Sequence, residues 1–348
     1  MAGYGNGLRR AIMLSGVLAL AAGACDANRA GGHDVALKHA HAVATPLHRR
    51  SESPVVQFVV ESSGDLLIHS PVWERALVLG GGRHYNFAPL LARIKPYVRR
   101  ACSTASNHTL DQGQRGVGDT IRALNHAGVL HAGSYSSAAG QRKSLIMTMK
   151  GVRVAFLSYT AFTNGIPLPH PWSVNLASAA RILSDAHRAR MDGAKVVIVN
   201  LHWGDEYVAQ PSSYQLRLAR RLTRSPDITV IVGQHVHVVQ PIRIIHGKLV
   251  VFGEGNLISD QTSACCPAAT QDGMIVLLTI TVDNRGARVS FIHYVPIWVR
   301  HPDFVVLPAG TAWRTDPADA AALRASYKRT VAVAGRGPRI QPIPAHLP

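Results

Sequence analysis

Acidic side chains are scarce in this chain: its 348 residues carry 20 Asp and Glu against 37 Lys and Arg, a formal charge of +17 with histidine neutral. An excess of that size favours nucleic acid, anionic lipid or an acidic polymer as a partner. The arginines fall in short, dispersed clusters, Arg49-Arg50, Arg99-Arg100 and Arg217 through Arg224. No aromatic side chains alternate with them as a single-strand stacking platform requires, and no nucleic-acid-binding motif is present. The charge therefore argues for an anionic polymer and not for nucleic acid.

Long apolar runs are also missing. The run Ala11 to Ala22 is too short to span a bilayer comfortably. It follows Arg9-Arg10 and ends in Ala22-Gly23-Ala24-Cys25, the pattern of an export signal with a small-residue cleavage site. Two forms of export stay open: plain secretion, or a lipoprotein lipidated at Cys25 and held to the membrane. Residues 1–25 are then the signal, 26–54 a tether rich in Ala, His, Gly and Arg, 55–333 the working domain of the cell envelope or exterior, and 334–348 a loose tail. Cysteine is rare. Beyond Cys25 only Cys102, Cys265 and Cys266 occur, an odd number without zinc-site spacing. The adjacent pair could bridge to itself only with strain, which leaves one bridge from Cys102 to the pair open. There is no Gly-x-Ser-x-Gly elbow and no Walker-type loop, and Gly80-Gly81-Gly82 is a loop signal only.

What is present is enough apolar residue, 47%, for a sizeable core. Apolar runs at Val55–Val60, Ser144–Met149, Val152–Tyr159, Lys195–Leu201, Ile228–Val232, Ile242–Ile245, Leu249–Phe252, Met274–Val282 and Arg288–Tyr294 read as strands. Helical spacing covers Asn86–Arg100 with a kink at Pro96, Gly116–Ala127, Ala177–Met191, Ser212–Thr223 and Asp316–Lys328. Helices alternating with buried strands and flanked by hairpins describe one α/β domain, with two sheets packed between helices.

Several of these strands end in polar residues suited to metal chemistry: Gly64-Asp65, Asn107-His108 with Asp111, His202-Trp203-Gly204, and Gly233-Gln234-His235-Val236-His237. With 18 histidines, about one His-x-His is expected by chance, and His39/His41 in the tether fits that description. His235 and His237 stand out because they follow a buried strand directly; if that segment is extended, residues two apart face one site. Gly233 reads as a turn residue. Each of these residues alone could be turn chemistry or a capped strand end. Together, carboxylate, amide and imidazole groups at strand ends are what a mono- or binuclear metal centre in a hydrolase requires.

In this order the motifs resemble the bacterial capsule-synthesis CapA family, associated with poly-γ-glutamate, within the calcineurin-like metallophosphoesterase superfamily. The resemblance runs from about Val56 to Tyr294 and is carried by Gly64-Asp65, the Asn107-His108-x-x-Asp111 segment, His202-Trp203-Gly204-Asp205-Glu206-Tyr207, Gly233 through Pro241, and Gly253-Glu254-Gly255-Asn256. It implies a four-layer sandwich of two β-sheets flanked by helices. It also implies a divalent metal site, of one or two ions, ligated by Asp65, Asn107, His202, His235 and His237, with His108 as catalytic histidine and Asp111, Glu206 and Asn256 in support. The implied partner is an anionic polymer such as poly-γ-glutamate. The chain departs from the family in one respect. A strand carrying an acidic ligand is expected between Asp65 and Asn107, and Glu74 is the only acidic residue in that stretch. One strand of the sandwich is thus expected to be missing.

Overall fold

The computed structural model describes residues 55–97 and 101–344; the expected signal, Cys25 and the tether lie outside them. In chain order, β1 (Val56–Ser63) leads into the two-residue β2 (Asp65–Leu66), α1 (Ser70–Leu79) and the single-turn α2 (Ala88–Leu91). Next come β3 (Ala101–Ser103), α3 (Gly113–His126), β4 (Leu130–Ala132), α4 (Ala138–Arg142), β5 (Leu145–Met149) and β6 (Val152–Thr160). α5 (Ala179–Met191), β7 (Val196–Trp203), α6 (Ser213–Thr223) and β8 (Val230–His235) alternate through the middle. β9 (Ile242–Ile245), β10 (Lys248–Val251), β11 (Asn256–Ile258), β12 (Asp272–Asp283), β13 (Gly286–Val299), β14 (Val306–Pro308), α7 (Ala320–Ala334) and β15 (Ile340–Pro342) complete the fold.

One sheet has six strands in the order β5-β6-β7-β8-β10-β9. Its centre, β6 through β10, is parallel, and β5 and β9 run antiparallel at the two edges. β7 is buried along almost its whole length, as a strand covered on both faces must be. The second sheet joins β1, β12, β13 and β14 antiparallel, with β15 added to β13 in parallel. Val60, Val276, Leu278 and Ile280 of this sheet pack against Val154, Ile198, Val230 and Val232 of the other. Removing that surface from water is the main force holding the two together. On the far face of the six-stranded sheet, α5 and α6 bury Ile182, Ala186, Leu218 and Leu222 against Val197, Val199 and Ile231. α6 starts cleanly because Ser212 and Gln215 form a reciprocal capping box. On the far face of the other sheet, Val72 and Leu90 cover Ile275 and Ile297, while α7 packs on its inner face, where Leu323 and Tyr327 meet Trp298 and Leu307 and Ala334 joins the inter-sheet core. The result is the four-layer α/β sandwich expected from the sequence.

The departures are local. The single helix expected over Asn86–Arg100 is instead α2 and a 3-10 turn over Ala92–Tyr97, because Pro89 and Pro96 both lack the amide that a continuous helix needs. α1 is not among the expected helices: its apolar residues run round the cylinder, with Val72 and Ala76 buried and Val78 exposed. The tail is not wholly loose, since Ile340–Pro342 pairs with Ile292–Tyr294. Cys102, Cys265 and Cys266 are all free, so the bridge left open by the sequence is not formed. Among the described residues, 67–97 contain no strand, and β2–β11 and β3–β4 remain separate two-stranded pairings.

Candidate metal centre

Asp65 is placed by a close backbone crossing. It pairs in parallel with Asn256 and its amide donates to Gly255 O at 3.0 Å. A Cβ on Gly64 would lie 2.0 Å from that same carbonyl, so only glycine lets the two segments meet. Gly233 is constrained in the same way, since its Cβ would lie 2.0 Å from Phe252 O and 2.4 Å from Trp203 Nε1. Its role is close approach between β8 and its neighbours, which corrects the turn role expected from sequence.

The register of β7 and β8 sets His202 opposite Gln234 and Trp203 opposite His235, which brings the His202 and His235 rings to 4.8 Å centroid separation. His237 does not follow by strand alternation. His235 has φ +96° and His237 φ +59°, so the chain turns at both residues. Their rings come to 5.8 Å of one another by this route, where an extended segment was expected. Left-handed backbone at two non-glycine residues costs on the order of 1–3 kcal/mol each and is concentrated at functional sites.

Asn107 comes from the turn after β3, which Thr109 pins by donating to Thr104 O at 2.8 Å and accepting from the Ser106 amide at 2.7 Å. The Asn107 amide donates to Asn164 Oδ1 at 3.1 Å, and its Oδ1 lies 2.9 Å from His202 Nε2. Asp65 is buried with its Oδ2 accepting from the His235 amide at 2.9 Å. Its Oδ1 lies 3.5 Å from His202 Nδ1 and its Oδ2 lies 3.5 Å from His237 Nδ1. His237 Nδ1 also approaches Asn256 Oδ1 at 3.1 Å, and its Nε2 is 3.8 Å from Glu206 Oε1. Ligand atoms of Glu206, His235 and His237 all lie within 4.8 Å of one another. Asp65, Asn107, His202, His235 and His237 thus meet in one pocket, and Glu206 stands close enough to act as a ligand where only support was expected. His108 and Asp111 pair at 2.8 Å with both side chains about half exposed. They sit at the rim, near enough for His108 to be felt electrostatically at His202 and His235.

Two histidines here are held neutral. Burial takes His202 down to about 4, against the pull of Asp65, and burial and the neighbouring His237 take His235 down to about 4. For His237 burial works downward too, but its bond to Asp65 prevails and raises its pKa. Burial works against ionising Asp65, yet the surrounding imidazoles and the His235 amide outweigh it and lower the pKa. A neutral imidazole has one N–H and one lone pair. Both nitrogens of His202 face acceptors, Asn107 Oδ1 and Asp65 Oδ1, so either tautomer sets one lone pair against another. His235 Nδ1 is buried with no hydrogen-bond partner among the described residues. A cation among these atoms would convert both faults into ligation, so the residues fit a divalent metal with mixed nitrogen and oxygen ligands.

Several residues of the pocket carry no sequence signal strong enough to single them out. Glu254 is fully buried. Ser62 donates to its Oε2 at 3.0 Å while Oε1 has no partner, and burial raises its pKa to about 8. His69 accepts from the Asp260 amide at 3.2 Å and is electrostatically linked to His237 and His108. Phe162 meets His235 edge-on at 4.9 Å and Tyr207 stands 5.9 Å from the His237 ring. Tyr207 and Glu254 lie inside motifs already quoted. His69 and Phe162 reach the pocket only through tertiary folding. The lone acidic residue of the 67–97 stretch, Glu74, lines a groove beside Pro302 and Phe304 and is not among the pocket residues.

Fold and pocket together define a four-layer α/β protein in which buried histidine and carboxylate groups form a candidate cation site. The chain belongs to the family described as bacterial capsule synthesis protein PGA_cap, which it matches over residues 84–261, just over half its length. It is 32% identical to the capsule biosynthesis protein CapA of Bacillus anthracis over 162 residues, 45% of this chain and 39% of that protein. It is 27% identical to a probable polyglutamine synthesis accessory protein of Mycobacterium tuberculosis over 257 residues, 70% of this chain and 64% of that protein. The chain therefore spans between about two fifths and two thirds of the length of these relatives. Solved structures that overlay on it include a calcineurin-like phosphoesterase from Bacillus subtilis, with TM-score 0.42, 15% identity, and 75% of this chain and 83% of that chain covered. A 5'-nucleotidase precursor from Thermus thermophilus gives TM-score 0.44 at 16% identity over 80% of this chain and 59% of that chain. The layer order described above, not these overlays, defines the fold.

Proposed function

We propose that this chain is an exported protein of capsular poly-γ-glutamate metabolism with a metal-dependent hydrolase site. The observation that carries the reading is His202, a buried neutral imidazole with an acceptor on each nitrogen. Asp65, Asn107, His202, His235 and His237, joined by Glu206, would hold one or two divalent ions. When bound there, such an ion supplies Lewis acidity and lowers the pKa of coordinated water. Asp111 fixes the His108 ring through Nδ1 and leaves Nε2 to pass a proton to the leaving group or to bind the developing oxyanion. Asn256 orients His237, as a partner behind a metal-ligating imidazole does. Burial pushes the Glu254 carboxyl up to about 8, which favours its neutral form and limits the negative charge beside Asp65. The arginine pair and apolar run at the N-terminus support export, with Cys25 as the site of lipidation if the chain is membrane-anchored.

The family resemblance suggests two substrate classes, a phosphoester or a γ-glutamyl bond of an anionic polymer. A second reading, a polymer-binding envelope protein without turnover, is favoured by one observation: no strand and no pocket carboxylate are found among described residues 67–97. The test is turnover of p-nitrophenyl phosphate and of poly-γ-glutamate by the Mn²⁺-loaded chain and by its His235→Ala variant. Turnover of either substrate that vanishes in the variant supports the hydrolase. Tight Mn²⁺ binding with no turnover of either favours the second reading instead. Fractionation of expressing cells checks export, which is refuted if the whole chain stays in the cytoplasm.

A further inference from the structure

The outer surface of α6 holds a feature that the pocket does not use. Arg217, Arg220, Arg221 and Arg224 are spaced i, i+3, i+4 and i+7, which puts all four on one stripe of the helix. All four are exposed, while the opposite face (Gln215, Leu218, Ala219, Leu222) is buried against the six-stranded sheet. Among the described residues none of the four guanidinium groups has a salt bridge, a hydrogen bond or an aromatic partner. Other arginines of this surface do: Arg181 and Arg188 both pair with Asp185, and Arg190 binds backbone carbonyls. Like charges three and four apart destabilise a helix. The negative C-terminal end of α6 accounts for Arg220 and Arg221 in its last turn and for Arg224 at its cap. It does not account for Arg217 or for the alignment of all four.

We infer that this stripe is a docking surface for a flexible linear polycarboxylate, laid along α6 and reaching the metal pocket. At 1.5 Å rise per residue the guanidinium roots fall ~4.5, ~6 and ~10.5 Å along the axis from Arg217, a ladder that successive carboxylates of one chain can follow. Guanidinium groups match carboxylates with paired, charge-assisted hydrogen bonds. The N-terminal end of α6 continues into the segment that carries Glu206 and Tyr207, fixed there by Gln240, which donates to Val208 O at 2.8 Å and Gln210 O at 3.2 Å. A polymer bound along the stripe is thereby led toward the pocket. An anionic membrane is disfavoured: only Tyr214 adds an apolar body to this face, its hydroxyl is tied to Ala177 O at 3.4 Å, and interfacial helices need a broad apolar face. The identity of the polymer as the capsular polycarboxylate rests on the function proposed above; the stripe itself does not.

The test uses the full chain and poly-γ-glutamate as probe. The quadruple variant Arg217→Gln, Arg220→Gln, Arg221→Gln, Arg224→Gln is compared with a charge-matched control carrying Gln at the exposed Arg83, Arg115, Arg142 and Arg285. The expected result is salt-sensitive binding by wild type, weakened about tenfold or more in the stripe variant and held within about twofold in the control. An Arg→Lys version of the stripe keeps part of the affinity and confirms that the helix is intact. Equal losses in stripe variant and control would reduce the effect to net charge and overturn the proposal. So would unchanged binding in the stripe variant, or loss of binding to phosphatidylglycerol vesicles or duplex DNA with poly-γ-glutamate unaffected. Mn²⁺ calorimetry on the same samples separates the two proposals: polymer binding without metal binding leaves the stripe standing and removes the hydrolase.

Discussion

The pocket is built from two kinds of support. His202 and His235 are anchored to the six-stranded sheet and Asp65 to the buried β2–β11 crossing, where register and close backbone approach leave little freedom: Gly64 and Gly233 tolerate no side chain. Asn107, His108 and Asp111 ride instead on a turn after the three-residue β3, which pairs only with β4 and is held by Thr109. The first group is buried; of the second, only Asn107 is, while His108 and Asp111 face solvent. The buried groups, Asn107 among them, fix where a cation sits, and the exposed pair His108 and Asp111 reaches substrate. Changes to the buried groups should therefore act on stability and metal affinity, and changes to the exposed pair on turnover.

The largest expected effect comes from Gly233→Val. The new side chain must displace Phe252 O and Trp203, so we expect a loss of about 3 kcal/mol or more, read as a large drop in thermal midpoint by circular dichroism. A loss under about 1 kcal/mol would mean that β8 and β10 are less tightly fixed than the geometry states. Glu254→Gln comes next. Because burial raises the folded pKa of Glu254 to about 8, the folded chain holds a proton that the unfolded chain releases above its ordinary value. Wild-type stability should be fullest in acid with respect to this group. It should fall by roughly a few kcal/mol between about pH 4.5 and 8, then level off. Glu254→Gln should abolish that slope, and an unchanged slope in urea unfolding across the range contradicts the assignment. Asp65→Ala removes the acceptor of the His235 amide and should cost about 1–3 kcal/mol, together with most of the metal affinity. The smallest structural effect belongs to His108→Ala. An exposed pair with Asp111 contributes within about 0.5 kcal/mol, so midpoint and Mn²⁺ affinity should hold while any turnover falls on the order of 10²-fold. Loss of metal affinity in this variant would erase the distinction between the two supports.

Much of this organisation is legible in the residues. Continuous apolar runs ending in His202 and His235 announce buried strands that deliver polar groups at one edge, because a strand covered on both faces has no alternation to hide. Ser212 and Gln215 mark the start of α6 through capping chemistry alone. Non-local contacts are not written there. The convergence of His235 and His237 depends on positive φ at both residues, which no local preference announces. Glu206 as a neighbour of His237, His69 near the rim and the free carboxyl oxygen of Glu254 arise only when distant loops meet. The break at α2 is legible in Pro89 and Pro96 once both are weighed, whereas α1 hides because its apolar residues do not form a single face. β15 is short and follows a glycine-rich bend, so its pairing with β13 depends on the partner strand more than on its own sequence.

A buried imidazole whose Nδ1 lacks a hydrogen-bond partner among the described residues is the centre of the proposed cation site, and calorimetric titration with Mn²⁺ on wild type and His235→Ala tests it most directly. The expected result is saturable binding by wild type that weakens about tenfold or more in the variant, with both chains showing a cooperative thermal transition. No heat of binding in folded wild type, or the same affinity in both chains, would contradict it.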